Sequence, residues 1–336
     1  MSSIREARQV WQAVIQAHQR GVHTAMLTLA AVRGSAYRRP GAKMMMAGDG
    51  QMFGTLSGGC LEGDLYHYAE QAMKSGQAII RQYDLTEDTM WGLGIGCKGT
   101  ITVWVEPLNP DEPFWQQFGR LVNQDRRVAL WARIPTGFRR LCTPKDPCDP
   151  DPSLSVVRSW HSVTQFDDRE LWDVMVPPER LIVAGAGHDA VPLVKLAEQV
   201  GFEVTVLDPR AHFNNEKRLP GATAYVIRQA EEVDPAEVRD AFWVIMNHHQ
   251  ARDKAALALA LRSDPQFMGM LGPRSRSLEI LGDLASPIPE MWHAPIGLNV
   301  GAETVDEVAL SIVAELLAVR NRKHGGSLNG EDRIHG

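Results

Sequence analysis

The run Arg180-Leu181-Ile182-Val183-Ala184-Gly185-Ala186-Gly187-His188-Asp189-Ala190 decides the fold of the second half of the chain. A short apolar strand enters a G-x-G-x-x-A turn. A helix is expected from that turn to about Val200, then a strand from Glu203 to Leu207, ending at Asp208. The acid stands 23 positions past the first glycine. Strand, glycine turn, helix, strand and acid together make the dinucleotide-binding order. Gly185 permits the turn, Gly187 lets a pyrophosphate approach, and Ala190 keeps the helix close to the sheet. Asp208 is placed to accept hydrogen bonds from a ribose. Arg210, two residues on, suits a 2′-phosphate, so NAD and NADP are not separated. Pro192 falls in the first helical turn, where its missing N–H costs little. Such a domain can also serve as a scaffold with no nucleotide.

Downstream, strands and helices alternate as a parallel sheet requires. Strands are expected at Thr223–Ile227, Ala241–Met246 and Phe267–Leu271, with helices at Asp253–Leu261, after Arg274, and from Val305 to Val319. Thr304 and Glu307 form a capping box for the last of these. Ligands of such sheets lie beyond the carboxyl ends of the strands. That places Asn247-His248-His249 and the loop with Arg274 and Arg276 beside the crevice. Their plain alternatives are helix capping and solvated charge. Residues 321–336 read as a flexible tail.

Upstream, Pro177-Pro178 is a natural boundary. Residues 1–110 read as a mixed α/β domain, residues 111–178 as added strands and a loop-rich connector, and residues 179–320 as the Rossmann-like domain. In the first of these, a helix over Ile4–Arg20 and a strand over His23–Val32 lead to a cationic loop with Arg33, Arg38, Arg39 and Lys43. A hairpin, Met44–Met46 and Met52–Leu56, then delivers Ser57-Gly58-Gly59-Cys60-Leu61-Glu62-Gly63-Asp64, and a helix runs from Leu61 to Met73. Cys60 thus lies at a helix N-terminus, behind two glycines, where free backbone N–H groups make an anion nest and favour a reactive thiol. A cysteine that merely fills a tight turn is the competing reading. Trp91-Gly92-Leu93-Gly94-Ile95-Gly96-Cys97-Lys98-Gly99 repeats the theme with a second thiol in a glycine-rich turn. The segment Pro135–Pro152, rich in Pro and Asp, is expected as loop, with Cys142 and Cys148 incidental.

Composition narrows the classes. The chain has 336 residues, 44% apolar and 23% charged, as in a soluble globular protein of two ordinary domains. A formal charge of −6 argues against nonspecific affinity for nucleic acid or anionic membrane. No apolar signal core opens the sequence, and no segment reaches membrane-span length, so a cytoplasmic location is expected. Four cysteines without a C-x-x-C pair make neither a disulfide scaffold nor a structural zinc site.

The paired stretches Arg33–Met44 and Ser57–Asp64 closely resemble the XdhC/CoxI family, the maturation factors of molybdenum hydroxylases such as xanthine dehydrogenase. The resemblance extends to Gly185–His188, Asp208-Pro209-Arg210, Asn247-His248-His249, Leu271-Gly272 with Arg274, and Ala294–Leu298. It covers about residues 5–107 and 179–326. Lys98, Pro273 and Asn299 depart from the family, which has glycine, serine and aspartate in those places.

The resemblance implies a chaperone that holds the molybdenum cofactor, promotes its sulfuration and delivers it to an apo molybdenum hydroxylase. A cysteine desulfurase would be its sulfur-supplying partner, and a homodimer its assembly. On this reading Arg38, Arg39 and Lys43 neutralise cofactor anions, with Gly58, Gly59 and Glu62 framing the site. Cys60, and secondarily Cys97, contact the metal or relay sulfur. Gly185, Gly187, His188, Asp208, Arg210, His248 and Arg274 would line the second domain's ligand, with NAD(P) or another nucleotide as a candidate. Two rivals are an NAD(P)-dependent oxidoreductase using His188 or His248 as proton donor, and a nucleotide-sensing adaptor without a metal cofactor.

Overall fold

The computed structural model describes residues 3–85, 99–133, 137–146, 148, 164–284 and 286–329. The chain divides between Pro177 and Pro178 into two compact units, each with its own core.

The first unit opens with α1 (Ile4–Gln19), capped by the Ser3 hydroxyl, which accepts from the Glu6 N–H. It continues through β1 (Thr24–Gly34), β2 (Lys43–Ala47), β3 (Met52–Gly54), α2 (Glu62–Ser75), β4 (Ile79–Asp84) and β5 (Gly99–Leu108). The five strands form one antiparallel sheet in the order β3-β2-β1-β5-β4. Because β1 and β2 are buried on both faces, they read as continuous apolar runs. One face takes Met26, Met45 and Trp104 against Val10, Trp11 and Val14 of α1. The other takes Leu27, Met44 and Val103 against Leu65, Ala69 and Ala72 of α2. Successive residues therefore belong to opposite faces, as strand geometry demands.

Next come α3 (Pro113–Asn123), β6 (Val128–Arg133), β7 (Phe138–Cys142), β8 (Thr164–Phe166) and β9 (Glu170–Met175). These strands make a second antiparallel sheet, β7-β6-β9-β8. Here the sequence expectation needs correcting. Residues 138–142 form a strand inside the stretch expected as loop, and Cys142 and Cys148 are joined by a disulfide rather than incidental. The strand is held by its pairing with β6, Ala129 opposite Cys142 and Arg133 opposite Phe138. The disulfide lies buried in a cluster with Trp131 and Val174. Part of the added segment, residues 149–163, lies outside the described residues, as does the loop carrying Cys97.

The second unit is a doubly wound sheet. Its elements are β10 (Arg180–Ala184), α4 (Ala190–Gln199), β11 (Glu203–Leu207), β12 (Ala224–Val226), β13 (Phe242–Ile245), α5 (Gln250–Leu261), β14 (Phe267–Met270), α6 (Arg274–Gly282), β15 (Trp292–His293) and α7 (Val305–Arg320). All six strands are parallel, in the order β12-β11-β10-β13-β14-β15. Relabelled within the unit, this is the 3-2-1-4-5-6 order of a Rossmann fold, with the reversal beside β10. The helices α4 and α7 cover one face of the sheet, while α5 and α6 cover the other.

Candidate functional site

The Ser-Gly-Gly-Cys turn is built around Glu62. Its carboxylate is almost buried, at 8% exposure, and sits under the turn as an internal anion. One oxygen accepts from the N–H groups of Leu56 (3.1 Å) and Ser57 (3.0 Å) and from the Thr55 hydroxyl (2.8 Å). The other accepts from the N–H groups of Gly59 (3.0 Å) and Leu61 (3.2 Å) and from the Ser57 hydroxyl. Burial alone would raise its pKa. The hydrogen bonds from Ser57, Thr55 and Leu56 outweigh that and hold it down at about 2. The N–H groups expected to await a ligand anion are thus satisfied by the chain itself. Glu62 shapes the turn.

This arrangement turns Cys60 outward. Gly58 and Gly59 both have positive φ, +73° and +108°, which a side chain would strain. A Cβ at Gly58 would also come within 3.3 Å of the Tyr37 ring. Cys60 is exposed with a free thiol, at the rim of a shallow recess lined by Tyr37, Ser57, Leu61, Leu85 and Ile101.

The cationic loop is more committed to structure than its sequence suggests. Arg38 donates to the Thr55 carbonyl at 3.1 Å and to Glu6 on α1 at 2.7 Å, so it ties the turn to the first helix. Lys43 does not face solvent. Its ammonium is 1% exposed, ion-paired with Asp173 of β9, and donates to the Gly41 carbonyl at 3.2 Å. Thr164 in turn donates to the other oxygen of Asp173 at 2.6 Å. The expectation that Lys43 meets a cofactor anion does not match this interior placement, because its charge is already neutralised. Arg39 is half-buried and engaged, while Arg33 is exposed at the end of β1. Gly99 lies opposite Gly34, and a Cβ there would meet the Ser35 and Arg33 carbonyls at 2.5 and 2.6 Å. Cys97 lies outside the described residues.

In the second unit, Gly185 has φ +119°, and a Cβ on it would meet the Met246 carbonyl at 2.6 Å. The fingerprint acid, Asp208, is fully buried and fully bonded. One oxygen accepts from the Arg210 N–H and Nε, both at 2.9 Å; the other accepts from the Ala186 N–H (2.9 Å) and an Arg210 terminal nitrogen (2.6 Å). Burial would raise its pKa, but the Arg210 and Ala186 hydrogen bonds lower it. A carboxylate has about four acceptor positions, and all four are taken. A ribose would have to displace Arg210.

The glycine turn carries a further anion. The Asp189 carboxylate lies where a Cβ on Gly187 would meet it at 2.6 Å, beside the glycine expected to admit a pyrophosphate. Asp189 also pairs at 2.6 Å with Nε2 of His248, which has φ +54°. His188 is exposed, with its ring 6.4 Å from that of Phe213. Arg274 is exposed and donates to the Ala294 carbonyl at 3.0 Å. The hollow beyond Ala184, Leu207 and Asn247 is about 140 Å³. Ligand clefts are usually about 300–1,000 Å³. The residues present do not fit NAD(P) as they stand. Asp189 and Asp253, which receives the Asn247 N–H and Arg276, escaped the sequence reading; an acid just after the glycines was the available signal for the first.

Among the described residues, no group of three or more His, Cys, Asp or Glu side chains is arranged to hold a metal ion. No described helix is long and apolar enough to cross a membrane.

Known proteins are similar to this chain. Residues 17–84, with the cationic loop and the Cys60 turn, match the XdhC and CoxI family, and residues 181–316 match the XdhC Rossmann domain. A Bacillus subtilis protein named as a probable subunit of xanthine dehydrogenase is 29% identical over 88% of this chain and 93% of its own. The Escherichia coli molybdenum cofactor insertion chaperone PaoD is 25% identical over 93% of this chain and 88% of its own. A crystal structure described as a xanthine dehydrogenase from Bacillus halodurans superposes with a TM-score of 0.78 at 28% identity, covering 97% of this chain and 98% of that one. With both of the family's parts matched in order, on the fold they require, the chain belongs to the XdhC/CoxI family.

Proposed function

We propose that the protein is a molybdenum-cofactor chaperone that carries the cofactor to a xanthine dehydrogenase-type hydroxylase and assists its sulfuration. The observation that carries the reading is Cys60, a free, exposed thiol on a turn pinned from below by Glu62. A soft thiolate is a suitable ligand or sulfur carrier for such a cargo, and the turn presents it at the surface. The similarity to a molybdenum cofactor insertion chaperone supports the direction of transfer. Arg33, exposed at the end of β1, is a candidate to meet cofactor anions, with Arg38 as a positioning residue for the turn. A cysteine desulfurase as sulfur donor, a cytoplasmic setting and a homodimeric assembly complete the proposal. Hydride transfer at the second unit is not part of it, since Arg210 already occupies Asp208 and Asp189 lies beside Gly187.

The test is replacement of Cys60 by alanine in the full chain, followed by molybdenum analysis of the purified protein and activation of apo-hydroxylase. Loss of about tenfold or more in both is expected, on the scale of a lost metal-site interaction. Undiminished loading and activation would overturn the thiol's role.

A further inference from the structure

Tyr37 stands between two fixed points of the loop that joins β1 to β2. On one side Ala36 is buried, at 9% exposure, in the core on the α2 face of the sheet. On the other, Arg38 is held by the Thr55 carbonyl and by Glu6 of α1. The backbone that carries the Tyr37 ring is therefore tied down before and after it, yet the residue itself is 56% exposed.

The direction of the ring is also set. A Cβ on Gly58 would lie 3.3, 3.3 and 3.4 Å from three consecutive ring carbons, Cζ, Cε2 and Cδ2. A point almost equidistant from three atoms of a six-membered ring lies near the ring's axis, above its face. An approach to the edge would make one distance much shorter than its neighbours. One face of Tyr37 thus rests on the Ser-Gly-Gly-Cys turn, and the missing side chain at Gly58 gives it that seat. With that face covered, the exposure belongs to the opposite face and the outer rim.

Tyr37 and Cys60 line the same recess. Its other walls include Leu61, Leu85 and Ile101, all apolar, and it is shallow, about 10 Å³, so a guest lies across it rather than within it. Single exposed aromatics are ordinary on protein surfaces. An aromatic face laid flat on a thiol-bearing turn, on a backbone anchored at both ends, is a stacking platform. Cations and flat conjugated rings both favour such a face. Arg33, Arg38 and Arg39 of the same loop repel a cationic guest. An aliphatic guest would gain only burial, of which a shallow recess offers little. A flat conjugated ring gains burial and stacking together.

We infer that Tyr37 is the stacking platform of the Cys60 site: it holds a flat, conjugated heterocycle while the thiol meets the sulfur- or metal-bearing end of the same guest. The inference rests on the reading of Cys60 as the point where the molybdenum cofactor is held, and it gives the pterin ring of that cofactor a seat of its own.

Titration of the full chain with free pterin, followed by proton NMR, tests it. Wild-type protein should bind with a dissociation constant of about 5 mM or below, and the pterin ring protons should move upfield, the signature of a ring lying over an aromatic face. Tyr37→Phe keeps the face and should keep both the affinity and the shift. Tyr37→Leu keeps apolar bulk but removes the face, so it should weaken binding about tenfold and abolish the shift. Thermal melts of both variants separate a lost platform from a lost fold. Free pterin carries neither sulfur nor metal, so this result is independent of what Cys60 does. Intact stacking beside undiminished molybdenum loading in Cys60→Ala would remove the thiol's role and keep the platform. No binding or no upfield shift with wild type, or unchanged affinity and shift in Tyr37→Leu, would overturn the platform and leave the thiol's role standing.

Discussion

Lys43 on β2 and Asp173 on β9 form an ion pair across 130 residues of sequence, with both side chains 1% exposed. The pair bonds one sheet of the first unit to the other. Breaking one side of a buried pair strands the remaining charge, which typically costs about 3–5 kcal/mol. Lys43→Met should lower stability by about that amount in urea unfolding, and adding Asp173→Leu should recover part of it. If Lys43 instead served a bound anion, the single variant would keep its stability and lose only ligand affinity.

Glu62 predicts a sensitivity to acid. Its folded pKa, about 2, lies below the ordinary 4.5, so its stabilisation is fully present above about 4.5 and is lost as pH falls towards 2. A depression of that size corresponds to about 3 kcal/mol. Glu62→Gln should reduce stability at neutral pH and flatten this acid limb, as read from unfolding curves between pH 2 and about 6.

Glu106 works in the opposite sense. Its burial, only partly offset by Arg139, lifts the folded pKa to about 7, above the ordinary 4.5, so between these values the folded state holds a proton that the unfolded chain has released. Its contribution is present below about 4.5 and is lost as pH rises through 7. Glu106→Gln should therefore flatten the decline in melting temperature between about pH 4.5 and 7, and leave the limb below about 4.5 to Glu62.

Arg210 closes Asp208 against a ribose. Wild-type protein should bind NAD poorly, and Arg210→Ala should bind it several-fold better in a fluorescence titration. Equal affinity in the two would show that the occupied carboxylate is not what excludes the nucleotide.

The second unit was readable from sequence because each of its principal strands is a short apolar run beside a helix-period segment, as in Leu181–Ala184 and Phe242–Ile245. The edge strand β15, two residues long, carries no periodicity to read. The strand β7 escaped because Arg139 and Arg140 make it look polar, and its pairing with β6 is a tertiary fact. At the site, the Cys60 turn was legible from its glycines and from the family resemblance. The inward duty of Glu62 was not, because a first-turn acid already has a sufficient reason in the helix dipole. Nothing local to Lys43 announces Asp173, since a buried partner so distant in sequence leaves no spacing signal.

A loop that supplies its own counter-anion settles its shape before any guest arrives. Because Glu62 already orders Leu56 through Leu61, a guest docking at Cys60, as proposed, would not have to freeze that backbone, and would be spared the ordering entropy that a floppy thiol-bearing loop loses. If the turn carries the cofactor as proposed, the same ordering leaves little backbone to rearrange at release.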